Sequence, residues 1–285
     1  MSNGGIEISV IVPSYNSSAT IDRCLQSLLA QRTDRRHEII VADSSDDDTP
    51  ARVAAYAPRV QLVRSLTRLP PGPARNLGLT VAQGAIVAFT DTDCVVAPDW
   101  LEQLAAAHAR HDAVGGRIDN GTPDSLCGTA LWLAEFVEFA GGPERVVPSM
   151  PSCNISYKRR LFEMHGGFPD VPWGEEYVFN HRLPEGVLFT PAMRVSHLNR
   201  TGFAATIRHA RKVGHGSAVS RRATGQVGYL FRWPILVPLT VFYRLAKIAG
   251  AAARARHLGA FVLALPMLLL DLAAWMLGFL QGVRK

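Results

Sequence analysis

AIVAFTDTDCVVAPDW, residues 85–100, decides how the first half of this chain is read. Its apolar run, residues 85–89, has the length and composition of a buried strand, and two carboxylates, Asp91 and Asp93, follow it directly. In an open α/β sheet, ligands bind at the carboxyl ends of the strands. Paired hard oxygen donors in that place suit Mg²⁺ or Mn²⁺ holding a diphosphate. Taken alone, a D-x-D is more often a strand-to-loop turn in which Asp serves local hydrogen bonds. The rest of the chain decides between the two.

Upstream, strand and helix signals alternate. Residues 6–13 read as a strand ended by proline, and Ser17 and Ser18 offer an N-cap to a helix with the apolar stripe Ile21, Leu25, Leu28 and Leu29. Residues 37–43 and 60–64 read as further strands, with a helix opened by Asp46–Asp48 and Thr49-Pro50 between them. A helix over 73–82 precedes the quoted strand; a helix over 98–111 and a strand over 113–118 follow it. Such alternation predicts an α/β fold, a Rossmann-like and mostly parallel sheet flanked by helices. Residues 121–200 are less regular, with strands expected at 152–157 and 187–196 and short helices at 158–165 and 175–183.

Charge divides the chain. Residues 1–199 hold 17 Lys and Arg against 23 Asp and Glu, whereas residues 200–285 hold 13 Lys and Arg against the single Asp271. Two parts with different neighbours follow: a catalytic or binding domain over 1–200, with a nucleotide-binding half (1–120) and an acceptor-side half (121–200), and a C-terminal basic, apolar helical extension over 201–285. The basic part also carries the apolar segments 229–248 and 258–280, so an anionic membrane surface is its expected partner. No interleaving of aromatic and basic residues suggests nucleic acid. Cys24, Cys94, Cys127 and Cys153 are widely spaced and read as reduced thiols, and the N-terminus shows no signal-peptide pattern.

Several residues stand where chemistry is expected. Pro13, Ser14 and Tyr15 end the first strand, and Tyr15 can pack on a base or ribose. Asp43 ends the second, where an acid can accept hydrogen bonds from a nucleotide, although no G-x-G-x-x-G is present. Arg75, in the first turn of its helix, can face a phosphate or the first carboxylate. Gly174-Glu175-Glu176 opens a helix, where acids serve either the dipole or proton abstraction. His197, at a strand end, is a structural imidazole or a metal ligand.

The order VPSYN, ADSS, GPARNLGL, DTD, CNISYKRRLFEMHGGFPD, GEE and a late His resembles family 2 glycosyltransferases of the GT-A fold over roughly residues 6–200. The resemblance implies a metal-assisted, inverting transfer from a nucleotide-sugar donor. By motif position Pro13, Ser14, Tyr15, Asp43, Arg75 and Asp91 contact the nucleotide. Asp93 ligates Mn²⁺ or Mg²⁺, with Asp91 and His197 beside it. The family's base, the second acid of a Gly-Glu-Asp motif, falls on Glu176; this chain has Glu there, and Glu175 is the second candidate. Cys153, Asn154 and Gly174 match segments near donor sugar or acceptor. A glycan or lipid-linked acceptor at the cytoplasmic face of a membrane is the corollary of the tail. A non-catalytic GT-A scaffold and a nucleotidyltransferase are the alternative readings.

In the tail, residues 258–280 are long enough to span a bilayer, and the shorter first run is so only with snorkelling Arg and Lys. Two crossings would place Arg254 and Arg256 outside, so an in-plane hairpin is preferred, with Trp233, Tyr243 and Trp275 at the headgroup boundary. The stretch RHARKVGHGSAVSRR, residues 208–222, is suited to anionic lipid or a diphosphate.

Overall fold

β1 (Ile8–Ser14) has no polar face: Ile8, Val10, Ile11 and Val12 are all fully buried, as is Ser9. A strand covered on both sides is the signature of a parallel sheet between helix layers. The structure, a computed structural model, describes residues 5–226, 228 and 232–284. Accordingly β1 pairs in parallel with β2 (His37–Asp43) and β4 (Ile86–Thr90), and β2 with β3 (Gln61–Arg64). The connections are α1 (Ile21–Leu29), α2 (Thr49–Ala54) and α3 (Pro71–Leu79). The α1 stripe buries Ile21, Cys24, Leu25 and Leu28, while α3 opens on proline, whose missing N–H costs nothing in a first turn.

Beyond β4 the sheet changes sense. β5 (Cys94–Val96), α4 (Trp100–His108), β6 (Ala113–Asn120), α5 (Leu126–Glu135), β7 (Arg145–Val147), β8 (Asn154–Lys158), α6 (Arg160–His165), α7 (Glu175–Asn180) and β9 (Val187–His197) complete this part of the chain. β8 runs antiparallel to both β4 and β6, and the order is β3-β2-β1-β4-β8-β6-β9-β5, with β7 on β9. The sheet is thus mixed: β1 to β4 pair in parallel, and β8 runs against its neighbours β4 and β6.

The chain forms two compact units. The first comprises residues 1–117, 143–170 and 175–196, and the second 118–142, 171–174 and 197–285. In the first, an aromatic cluster ties α6 and α7 to the sheet: Phe162 stacks on Phe179 at 4.9 Å, and both meet Tyr157 and Phe168. The Tyr157 hydroxyl donates to Asn180 Oδ1 at 2.7 Å.

The second unit is helical. α8 (Phe203–Ala223) is followed by α9 (Leu239–Arg254) and α10 (Leu258–Val283). The apolar segment expected from residue 229 is interrupted: a 3-10 turn at Pro234–Leu236 precedes α9, which has 16 residues, while residues 229–231 lie outside the described ones. Among the described helices, only α10 combines spanning length with high mean hydropathy, 2.1. One face of α10 buries Met267, Leu268, Leu272, Trp275 and Phe279; the other exposes Leu258, Val262, Leu263, Leu269, Leu270 and Leu277. Trp275, expected at a headgroup boundary, is instead buried, stacked on Phe279 with the Arg244 guanidinium 4.0 Å from its ring centre. α8 and α10 meet at bare backbone. A Cβ on Gly278 would lie 1.9 Å from the Arg211 carbonyl oxygen, and one on Gly214 2.0 Å from that of Trp275.

Candidate active site

Parallel strands deliver their loops to one edge. After β4, Asp91 turns the chain, its carbonyl accepting from the Cys94 N–H at 3.0 Å and from the Cys24 thiol at 3.4 Å. Thr92 Oγ1 bonds Ser17 Oγ at 2.9 Å, joining the DTD turn to the loop after β1. That loop is in turn pinned to the one after β2. Asn16, in the left-handed region at φ 50°, donates its N–H to Ser45 Oγ at 2.8 Å, and its Oδ1 accepts from the Asp46 N–H at 3.1 Å. Asn tolerates this conformation better than most residues. Asn16 and Ser45 lie in the VPSYN and ADSS stretches, but neither carried a role of its own in the sequence. An Asn following a strand end was the available signal.

Pro13 is half-buried and Tyr15 exposed, with the Arg68 guanidinium 4.4 Å from the Tyr15 ring centre. Ser14 is buried, and its hydroxyl has no hydrogen-bond partner among the described residues. Asp43 is fully buried: Oδ1 accepts from Ser45 Oγ at 2.6 Å, Oδ2 from the Ser45 N–H at 3.1 Å, and Arg64 Nε lies 3.4 Å away. Its carboxylate braces the loop after β2.

Arg75 is the centre of the arrangement. It is only 2% exposed, and it donates from one terminal nitrogen to Asp91 Oδ1 at 2.6 Å and from the other to Glu175 Oε1. Asp91, at the end of β4, and Glu175, at the start of α7, are thereby held by one guanidinium. The two acids raise the Arg75 pKa against the effect of burial, so it remains a fixed cation. A Cβ on Gly72, in the first turn of α3, would stand 2.7 Å from the Pro169 carbonyl and 3.1 Å from Glu175 Cβ; α3 approaches α7 this closely because Gly is there.

The acidic pair divides. Glu175 is buried against Arg75, with burial pushing its pKa up and the guanidinium opposing that. Glu176 is half-buried, and burial followed by the adjacent Glu175 charge pushes its pKa up to about 8. Glu175 therefore serves as a partner for Arg75, and Glu176 has the proton affinity of a base working near neutral pH. Asp93 is half-buried on the DTD turn.

Cys153 and Asn154 are buried. The Asn154 side chain accepts from Trp100 Nε1 at 2.8 Å and donates to the carbonyls of Arg117 at 2.9 Å and Met193 at 3.1 Å, so it pins three strands and a helix. The Cys94 and Cys153 thiols are pushed up, Cys94 chiefly by burial and Cys153 chiefly by its bond with Cys94, and both stay neutral; all four cysteines are free. Gly174 has φ 75°. In the second unit His197 is buried, Nδ1 3.0 Å from Asn199 Oδ1 and its ring 4.6 Å from that of Phe136.

Comparisons with known proteins bear on the family and the fold. The succinoglycan biosynthesis protein ExoO of Rhizobium meliloti (strain 1021) is 36% identical over 192 residues, which are 66% of this chain and 52% of that protein. The chain thus matches about half the length of this relative. A mannosyltransferase of Pyrobaculum calidifontis, solved in complex with GDP-Man and Mn²⁺, has a similar fold at 24% identity, with a TM-score of 0.64 over 97% of this chain and 86% of that one. S. aureus TarS 1-349, solved in complex with UDP-GlcNAc, gives 0.58 at 19% identity over 98% and 91% of the two chains. The model of the glycosyl transferase family 2 matches residues 9–165. The chain belongs to glycosyl transferase family 2.

Proposed function

We propose that this chain is a metal-dependent, inverting glycosyltransferase that moves a sugar from a nucleotide-diphosphate donor to a hydroxyl of a glycan or lipid-linked acceptor beside a membrane. The observation that carries this reading is Arg75, which joins the acid ending β4 to the acidic pair opening α7. One buried cation thus couples the donor end of the sheet to the candidate base.

Asp93 and Asp91 offer hard carboxylate oxygens at a strand end, the donor chemistry of Mn²⁺ or Mg²⁺, and they fit such an ion. Asp93 is its proposed principal ligand, with Asp91 adjacent and His197 retained from motif order as the third. When bound, the ion supplies Lewis-acid neutralisation of the leaving diphosphate. The chain's own residues do the rest. The Tyr15 ring, the Pro13-Ser14 strand end and the unpartnered Ser14 hydroxyl suit a nucleoside at the edge of β1. Asp43 stiffens that edge from below. Glu176 takes the proton of the attacking hydroxyl, with a pKa near 8 that lets it hold the proton once received. The complexes of the two structural neighbours with GDP-Man and UDP-GlcNAc support the donor class.

The exposed apolar face of α10, with Leu239, Phe242 and Tyr243 on α9 and the basic residues Lys247 and Arg254 nearby, supports in-plane seating on an anionic, cytoplasmic membrane face. A spanning α10 would have to strip its other face from α8.

The test is transfer or hydrolysis across a panel of nucleotide sugars with Mn²⁺. Activity on one donor, lost with Asp93→Ala and with chelator, is expected. Donor binding without turnover would leave a scaffold, and pyrophosphate release from a nucleoside triphosphate would mean a nucleotidyltransferase.

A further inference from the structure

We infer that α8 is a positioning element for the catalytic base, acting through the segment Val171–Gly174; this rests on the function proposed above. Trp173 stands two residues before Glu175 and three before Glu176 in the chain. Three residues on one face of α8 hold it. Ser220, itself 2% exposed, donates its hydroxyl to the Trp173 carbonyl at 2.5 Å. Gly216 lies against the indole side chain: a Cβ there would be 2.2 Å from Trp173 Cβ and 2.8 Å from Cγ. The His209 ring meets the indole edge-on, centroids 5.5 Å apart, and its Nε2 is fixed by Glu135 Oε1 of α5 at 2.8 Å.

His209, Gly216 and Ser220 follow one another at i, i+7 and i+11, two and then three turns along one stripe of the helix. Backbone and ring are therefore both gripped, from a helix that carries no acid of its own. Gly174 follows with φ 75°, a conformation that glycine adopts without penalty. The chain then enters α7 with Glu175 on Arg75 and Glu176 beside it. A carbonyl fixed at Trp173 leaves one freely rotatable residue before the base pair. A displacement of about 1 Å at a reacting group can cost on the order of 100-fold in rate. Ser220 and Gly216 need not touch substrate to set the turnover number.

The test uses the full chain with Ser220→Ala and Gly216→Ala, and Ser217→Ala as a control of the same chemistry on the same helix, where the hydroxyl donates to the Val213 carbonyl within the helix. Two readouts are taken. Hydrogen–deuterium exchange over residues 171–180 should rise in Ser220→Ala and Gly216→Ala and stay at the wild-type level in Ser217→Ala. Steady-state kinetics should show kcat lowered about tenfold or more in both variants while donor KM and nucleotide-induced thermal shift stay within about twofold. Exchange unchanged in Ser220→Ala, or kcat unchanged, would overturn the inference, as would equal losses in kcat and donor binding. Should the wild-type chain turn over no donor, the proposed function falls, and the exchange experiment alone decides whether α8 holds this segment.

Discussion

Replacing Arg75 by Met removes the shared counter-ion while keeping most of the side-chain volume. Asp91 is 30% exposed at its side chain, and water can take over its hydrogen bond; Glu175 is 3% exposed and is left as an uncompensated buried charge. Breaking a buried pair from one side costs about 3–5 kcal/mol. That cost needs the carboxylate to be ionised. Burial already pushes the Glu175 pKa up, and without the guanidinium it rises further, so in the variant the penalty on the charged form grows as pH rises and is relieved when the acid is protonated at lower pH. Only the lost hydrogen bonds then remain, about 1–2 kcal/mol. Urea unfolding should therefore show Arg75→Met losing about 3–5 kcal/mol at pH 8 and about 2–3 kcal/mol less than that at pH 5. With a slope of about 3 kcal/mol per molar, the midpoint at pH 8 moves by roughly 1–2 M. Arg75→Met combined with Glu175→Gln should recover most of the loss at pH 8. Equal losses at the two pH values, or a double variant as unstable as the sum of the singles, would refute the shared-cation argument.

Glu176 should give kcat/KM that climbs with pH toward a plateau above about 8, and Glu176→Gln should lower turnover by roughly 10²–10⁴-fold and flatten the profile. Because its folded pKa is raised above the unfolded value, its contribution to stability is complete below about 4.5 and is lost as pH rises through about 8; chemical denaturation of Glu176→Gln should lack that decline. Gly278→Val should cost about 3 kcal/mol or more by overpacking against the Arg211 carbonyl, read as a lowered thermal midpoint. Phe242→Asp with Leu263→Asp should weaken co-sedimentation with phosphatidylglycerol vesicles by about tenfold or more at unchanged melting temperature.

Much of the first unit was legible because its strands are covered on both faces. The apolar runs of β1, β2 and β4, each ended by a polar or turn residue, announced themselves and placed Asp43 and Asp91 at strand ends. Strand direction was not legible: β8 has the same composition whether it runs with β4 or against it, since that choice is made by the chain path between them. α5 was missed because LCGTALWLAE buries six consecutive residues and so has no polar face to mark its period. β5 and β7, of three residues each, are too short to establish an alternation. In the site, the acids could be read one at a time from their positions. What could not be read is that Glu175 and Arg75, 100 positions apart, are partners, which is what separates the proposed roles of Glu175 and Glu176. Asn154, matched by motif to a segment near donor sugar or acceptor, is a buried strand pin, because a side-chain amide with two donors and an acceptor can satisfy three backbone and indole groups at once.

The glycine seam of α8 and α10 has a mechanical consequence. With Gly278 against the Arg211 carbonyl and Gly214 against that of Trp275, each helix rests on the other's main chain, and a roll of either about its own axis would drive a side chain into a peptide group. The pair can translate or tilt only as one strut. A displacement of α10 on its outward leucine face is therefore shared with α8, the helix that holds Trp173.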